Sequence, residues 1–152
     1  DKNTGNLIRQ TQAYAETITE AVFNIFDCWL RPDLFDARLD HAIRNWALGD
    51  PDLRAILERN DGERIDAIAA MFERFGYAPE DARIRAFTIY YTQVGYVAMM
   101  VQEETQVRVD RMPNYIEVFT GRSPTPSEVE RFRARHRQPA GPARRRSAAF
   151  RA

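Results

Sequence analysis

Leu39-Asp40-His41-Ala42-Ile43-Arg44-Asn45-Trp46-Ala47-Leu48-Gly49-Asp50-Pro51 reads as an amphipathic helix followed by a clean stop. Leu39, Ala42, Ile43, Trp46 and Ala47 recur at three- and four-residue steps, which puts their apolar groups on one helical face. Gly49 suits a helix C-cap, Asp50 can cap the helix that follows, and Pro51 fits its first position, where no amide N–H is needed. Arg44, and Arg64 further on, stand in apolar surroundings, so each needs a carboxylate if it is buried. Asp40 and Asp61 are the nearest candidates, as Arg44 with Asp61 or Arg64 with Asp40. A structural ion pair tying adjacent helices is the expected role, and an effector-sensing switch is the alternative.

Upstream, Leu7, Thr11, Tyr14, Ile18, Val22, Ile25, Phe26 and Trp29 keep helical spacing, which predicts one helix over about Asn6–Leu30 that Pro32 stops. Further helices are expected over about Leu34–Leu48 and Pro51–Arg59. Another is expected from an Asp61 N-cap to Gly76, with Ile65, Ile68, Ala69 and Phe72 on one face. A long helix over about Pro79–Val107 is apolar or small around nearly its whole circumference between Ile84 and Val101, so it should be buried on more than one side. A second subunit would cover the other face, with Gly95 and Ala98 allowing close approach; burial inside one subunit is the alternative. A bend near Met112-Pro113 precedes Asn114–Thr120, a turn at Gly121–Pro124 and a last helix over about Pro126–His136. Ser127 with Glu130 would form a capping box there, and Thr125 is an equally good cap. With no convincing strand or repeat, the chain reads as all-α.

At 152 residues the chain is about one domain and long enough for a real core. Basic and acidic residues balance at 22 each, but eight arginines and no acid fall within 131–152, so residues 1–130 hold 14 basic and 22 acidic groups, a net of −8. An acidic body argues against a nucleic-acid surface on these residues. The tail at 138–152 reads as disordered, with its arginines solvated. A single cysteine, Cys28, excludes an internal disulfide framework and fits a reducing, cytoplasmic setting. No apolar run is long enough to span a membrane and no signal-peptide layout is visible. A first residue of Asp1 is expected of a processed or truncated chain.

In order and spacing these helices resemble the C-terminal regulatory domain of TetR-type transcriptional regulators. The likeness is carried by Leu39-Asp40-x-Ala42-Ile43-Arg44-x-Trp46-Ala47-x-x-Asp50-Pro51, Asp61-x-x-Arg64, Gly76-Tyr77, Ala82, Arg85-Ala86, Tyr90 or Tyr91, and Gly95. It continues in Tyr115-Ile116-x-x-Phe119-Thr120-Gly121-x-x-Pro124, Glu128 and Phe132-x-x-x-His136, and covers about four-fifths of the chain. The resemblance implies a multi-helix orthogonal bundle over residues 1–137, acting in a bacterial cytoplasm as part of a regulator, most often a repressor. It also implies a homodimer, an internal pocket for a small effector, and operator binding through an N-terminal helix-turn-helix domain. No such reader is found in these residues, so operator DNA contact is expected only through that missing domain. The dimer interface is expected at Ile84, Phe87, Tyr91, Gly95, Ala98, Val129 and Phe132.

A pocket needs apolar walls and a few polar groups, and the candidates are Tyr14, Phe26, Trp46, Phe72, Tyr90, Tyr91, Gln93, Tyr96 and Met99. Gln93 is the sharpest, because an amide on an apolar helix must find a partner. For each aromatic, ordinary core packing is the competing reading. Neither His41, His136 nor Cys28 falls in a metal-binding spacing, so no metal or cofactor is expected. A Cys28–His41–Asp40 group lacks converging geometry, because His41 and Asp40 point about 100° apart on one helix, so catalysis is not expected. A stand-alone helical interaction module is the alternative function.

Overall fold

The computed structural model describes residues 1–137; the arginine-rich tail at 138–152 lies outside the described residues. Seven helices and no strand are present among them: α1 (Lys2–Gln12), α2 (Ile18–Leu30), α3 (Ala37–Ala47), α4 (Pro51–Arg74), α5 (Pro79–Ala98), α6 (Thr105–Thr120) and α7 (Pro126–Arg135). The protein is all-α, and no described helix is long and apolar enough to cross a membrane.

Several boundaries differ from the sequence expectation, each for a local reason. The helix expected over Asn6–Leu30 is two helices, because Thr17 takes extended backbone and its hydroxyl accepts from the Glu20 amide as an N-cap. The Glu20 carboxylate in turn accepts from the Glu16 amide at 2.9 Å. The two helices expected from Pro51 to Gly76 are one. Asp61 does not cap its own helix, because its carboxylate is turned across to Arg44. The long helix stops at Ala98 rather than near Val107, and Met100 follows in left-handed backbone at φ 53°. Pro113 lies inside α6 without ending it. A proline removes one backbone bond, but Met112 and Ile116 on either side are both buried and hold the two halves in line. Asp50 caps α4 with Pro51 in its first turn, and Gly121 closes α6 in left-handed backbone. Of the two cap readings for α7, Thr125 forms the box, with Glu128.

One buried apolar cluster runs through α1, α2, α4, α5, α6 and α7. α4 packs along α5 and against α1 and α3, while α2 packs on α1, α6 and α7. α5 is not buried all round: Ala82, Ala86, Ile89, Tyr90 and Gln93 form one buried stripe, and Ile84, Tyr91 and Met99 face outward. α7 is fastened to α2 by a stack of Phe132 on Phe23, with centroids 4.5 Å apart, and by an Asp27–His136 contact at 2.6 Å. Buried Glu128 adds a third tie, accepting from the hydroxyls of Thr17 and Thr19 and from the Thr125 amide. Burial opposes its ionisation, yet these donors hold the carboxyl below its usual range.

Phe132 is 0% exposed, so it is not free for the dimer interface expected from the sequence, while Val129 is half-buried against the core. Phe132→Ala should therefore cost about 3–5 kcal/mol of unfolding free energy in urea titrations. A cost below about 1 kcal/mol would show that this ring is not a core anchor.

Candidate functional site

Two polar constellations meet the core along the buried stripe of α5, one at Tyr90 and one beginning at Gln93. The first is an ion network. Arg44 on α3 gives Nε to Asp40 at 2.8 Å and both terminal nitrogens to Asp61 at 2.8 and 2.7 Å. Arg64 on α4 gives Nη1 to Asp40 at 2.8 Å, Nη2 to Asp1 at 3.0 Å and Nε to the Thr4 hydroxyl at 2.9 Å. Both pairings anticipated as alternatives are present together, and Asp40 bridges them.

Tyr90 on α5 closes this network. Its hydroxyl donates to Asp61 at 2.6 Å and accepts from Arg44 and Arg64 at 2.9 Å each. A phenol has one proton and two lone pairs, so Tyr90 has no bonding capacity left for a ligand. Burial pushes its pKa upward, and the bond to Asp61 adds to that against the two guanidiniums. Burial also opposes ionisation of Asp61, but the hydrogen bonds from Arg44 and Tyr90 prevail and hold it below the usual carboxylate range. Arg64 is only 1% exposed and lies over the Phe35 ring at 5.3 Å. The network joins α1, α3, α4 and α5, and every member is paired, which is the pattern of a structural crossing.

The second constellation is a cavity between α2, α5 and α6, lined by Phe26, Ile89, Gln93, Tyr96, Arg108, Met112, Tyr115 and Phe119, with Thr92, Glu103 and Arg111 at its edge. Its volume is about 30 Å³, room for about one water and far below the size of a typical ligand pocket. Gln93, Tyr96 and Arg108 form a wall, because they also line an outer groove of about 440 Å³ with Ala37, Arg38, His41, Val97, Met100, Val101 and Gln102. Within this wall Arg108 donates to Gln93 Oε1 at 3.2 Å and stacks on the Tyr96 ring at 4.2 Å from its centroid. The Tyr96 hydroxyl donates to Glu103 at 2.9 Å, and the other Glu103 oxygen takes Arg111.

Of the nine pocket candidates, Phe26, Gln93 and Tyr96 line this cavity. Phe72 is fully buried in the core against Tyr77, and Tyr90 belongs to the ion network. Tyr14, Trp46, Tyr91 and Met99 are corrected to surface positions, with Tyr14 84% and Trp46 69% exposed. Trp46 lies outside because the inward face of α3 runs through Ala37, Asp40, Arg44 and Ala47. Tyr14 falls in the break between α1 and α2. The sequence reading missed Arg108, Met112, Tyr115 and Phe119, which follow one another at steps of four, three and four on α6. That face was split by treating Met112-Pro113 as a bend.

Cys28 is fully buried, and burial pushes its thiol up to about 12, so it is no ready nucleophile. His41 contacts Asn45 at 3.1 Å, and both Asp40 oxygens are taken by arginines. Among the described residues no group of three or more His, Cys, Asp or Glu side chains is placed to hold a metal ion.

Arg44→Ala should lower stability by about 3–5 kcal/mol, because it removes both guanidinium bonds from Asp61, leaving it the Tyr90 hydroxyl and a 3.8 Å contact to Arg64, and strips one oxygen of Asp40. An unchanged melting temperature would contradict this. Asp61, with its pKa depressed in the fold, contributes stability that is complete above its unfolded value near about 4 and is lost as pH falls through the folded value. Asp61→Asn should therefore be less stable at neutral pH and show a shallower loss of stability below about pH 4. An identical acid limb in both proteins would contradict the assignment.

Comparison with protein-family models, curated protein sequences and solved structures finds no match.

Proposed function

We propose that this chain is the effector-binding and dimerising part of a TetR-type transcriptional regulator, responding to a small, partly apolar molecule. One observation carries the reading: the small cavity and an outward apolar depression share a wall. Thr92, Arg111, Tyr115 and Phe119 line the cavity on one side and, with Thr88, Asn114 and Val118, the depression on the other. A ligand that enlarges the cavity would move side chains of the outer face. Effector occupancy and subunit contact would thus be coupled, as regulation between distinct sites requires.

The outer face is apolar beyond what a solitary subunit needs. Ile84, Tyr91 and Val118 are exposed on α5 and α6, and Phe87 stacks on Tyr91 at 5.4 Å. A Cβ added at Gly95 would meet nothing within 4 Å, so the backbone there is open to a neighbouring helix. Ala98 is exposed on the same helix. These features support α5 with α6, rather than α5 with α7, as the face for a second copy. The effector is assigned to the wall of Gln93, Tyr96 and Arg108, reached from the outer groove. The ligand must bind the open and closed forms with different affinity to shift their balance.

Sedimentation velocity at micromolar concentration should show a dimer, and Val118→Asp or Tyr91→Asp should give a folded monomer with a near wild-type helical spectrum. A wild-type monomer would remove the homodimer from this reading and favour a helical module that docks another protein.

A further inference from the structure

We propose that the effector is an amphipathic carboxylate, whose anionic head is taken by the Arg108 guanidinium and whose apolar tail lies along Val97, Met100 and Val101 in the outer groove. The proposal rests on the effector-site reading above and names the chemistry that this site selects.

The argument begins with an unbalanced charge. Arg108 is half-buried, yet no carboxylate lies within 4.0 Å of its nitrogens among the described residues. Its contacts are a neutral amide, Gln93 Oε1 at 3.2 Å, and a neutral ring, Tyr96 at 4.2 Å. Half-buried Arg44 is met by two carboxylates and buried Arg64 by three. The nearby Glu103 does not fill this role, because Tyr96 and Arg111 occupy its two oxygens. Arg108, Arg111 and Glu103 together leave the cavity rim with one net positive charge, on a body whose residues 1–130 carry a net of −8. Burial lowers the pKa of Arg108 below its ordinary value, and only the phenols of Tyr96 and Tyr115 act against that.

An arriving carboxylate supplies what is missing. A guanidinium presents a planar fork to two carboxylate oxygens, and charge-assisted bonds of this kind are about twice as strong as neutral ones. Such an anion displaces the weak Gln93 contact and leaves that amide free to bond the ligand or turn inward. The groove beside Arg108 has about 440 Å³ of space and apolar sides at Ala37, Val97, Met100 and Val101. That suits a hydrocarbon tail, and Arg38 on the groove adds a second cation for the head. A cationic ligand would meet Arg108 and Arg38 together and is disfavoured.

The test is isothermal titration of the full chain with octanoate, 1-octanol and octylamine, each below its aggregation limit, on wild type, Arg108→Gln and Arg54→Gln. Arg54 is exposed on α4 and among the described residues pairs only with Glu58, so it controls for surface anion binding. Octanoate is expected to bind wild type and Arg54→Gln alike, at least about tenfold tighter than octanol, with octylamine weakest. Arg108→Gln should lose about tenfold or more in octanoate affinity while keeping that for octanol. Equal binding of acid and alcohol, or octanoate binding unchanged in Arg108→Gln, would overturn the carboxylate assignment and leave an apolar effector site standing. No binding of any of the three would overturn both.

Discussion

Two guanidiniums, three carboxylates and one phenol meet where α1, α3, α4 and α5 cross, and their pairing constrains everything around them. Charges withdrawn from water are tolerated only when paired and hydrogen-bonded. The positions of Asp1, Asp40, Asp61 and Tyr90 are therefore tied to those of Arg44 and Arg64. Asp61 must face α3 and so does not interrupt α4. Tyr90 must face α4, which sets the roll of α5 and decides which of its residues turn toward α6. The cavity wall at Gln93 and Tyr96 lies three and six residues beyond Tyr90, so its orientation follows from the network.

The C-terminal end of α5 is held differently. Between Ala98 and Thr105 the chain has no regular structure, and Met99 and Met100 are exposed. The wall there is joined by an amide, a stacked ring and one carboxylate, Glu103, shared between Tyr96 and Arg111. Fewer strong contacts per side chain mean a lower cost of local opening. α6 itself stays attached at its far end, where Tyr77 donates to the Thr120 carbonyl at 2.5 Å and Arg85 to the Phe119 carbonyl at 2.8 Å. The molecule thus has a fixed side built on paired charges and an adjustable side built on a partly satisfied arginine. An effector that acted on the first would have to break buried ion pairs; one that acted on the second needs only to replace an arginine–amide contact.

Local chemistry made part of this legible in the sequence. Asp50-Pro51, Thr125 and Gly121 carry their caps in their own residue types, and Arg44 and Arg64 stood out in apolar surroundings with Asp40 and Asp61 as nearest partners, whereas Asp1 and Tyr90 did not. Periodicity alone was weaker. The apolar stripe from Leu7 to Trp29 continues in phase across the break at 13–17, so spacing concealed it, although the Thr17-x-x-Glu20 pattern was available as a start signal. Trp46 and Tyr91 share the composition of core aromatics and lie outside, because a helix with one buried stripe does not announce which apolar residues fall off it, and Tyr14 lies outside because the helix breaks there. Arg108 escaped notice for a different reason. Its significance lies in what does not approach it, and absent partners are a property of the folded arrangement.

Hydrogen–deuterium exchange across the chain, with and without octanoate, tests this division most directly. The account predicts that the slowest amides lie around Arg64 and Tyr90 and are unaffected by the ligand, while octanoate slows exchange over 93–112. Exchange at 61–68 as fast as at 99–104, or ligand protection centred on 40–64 instead, would contradict it.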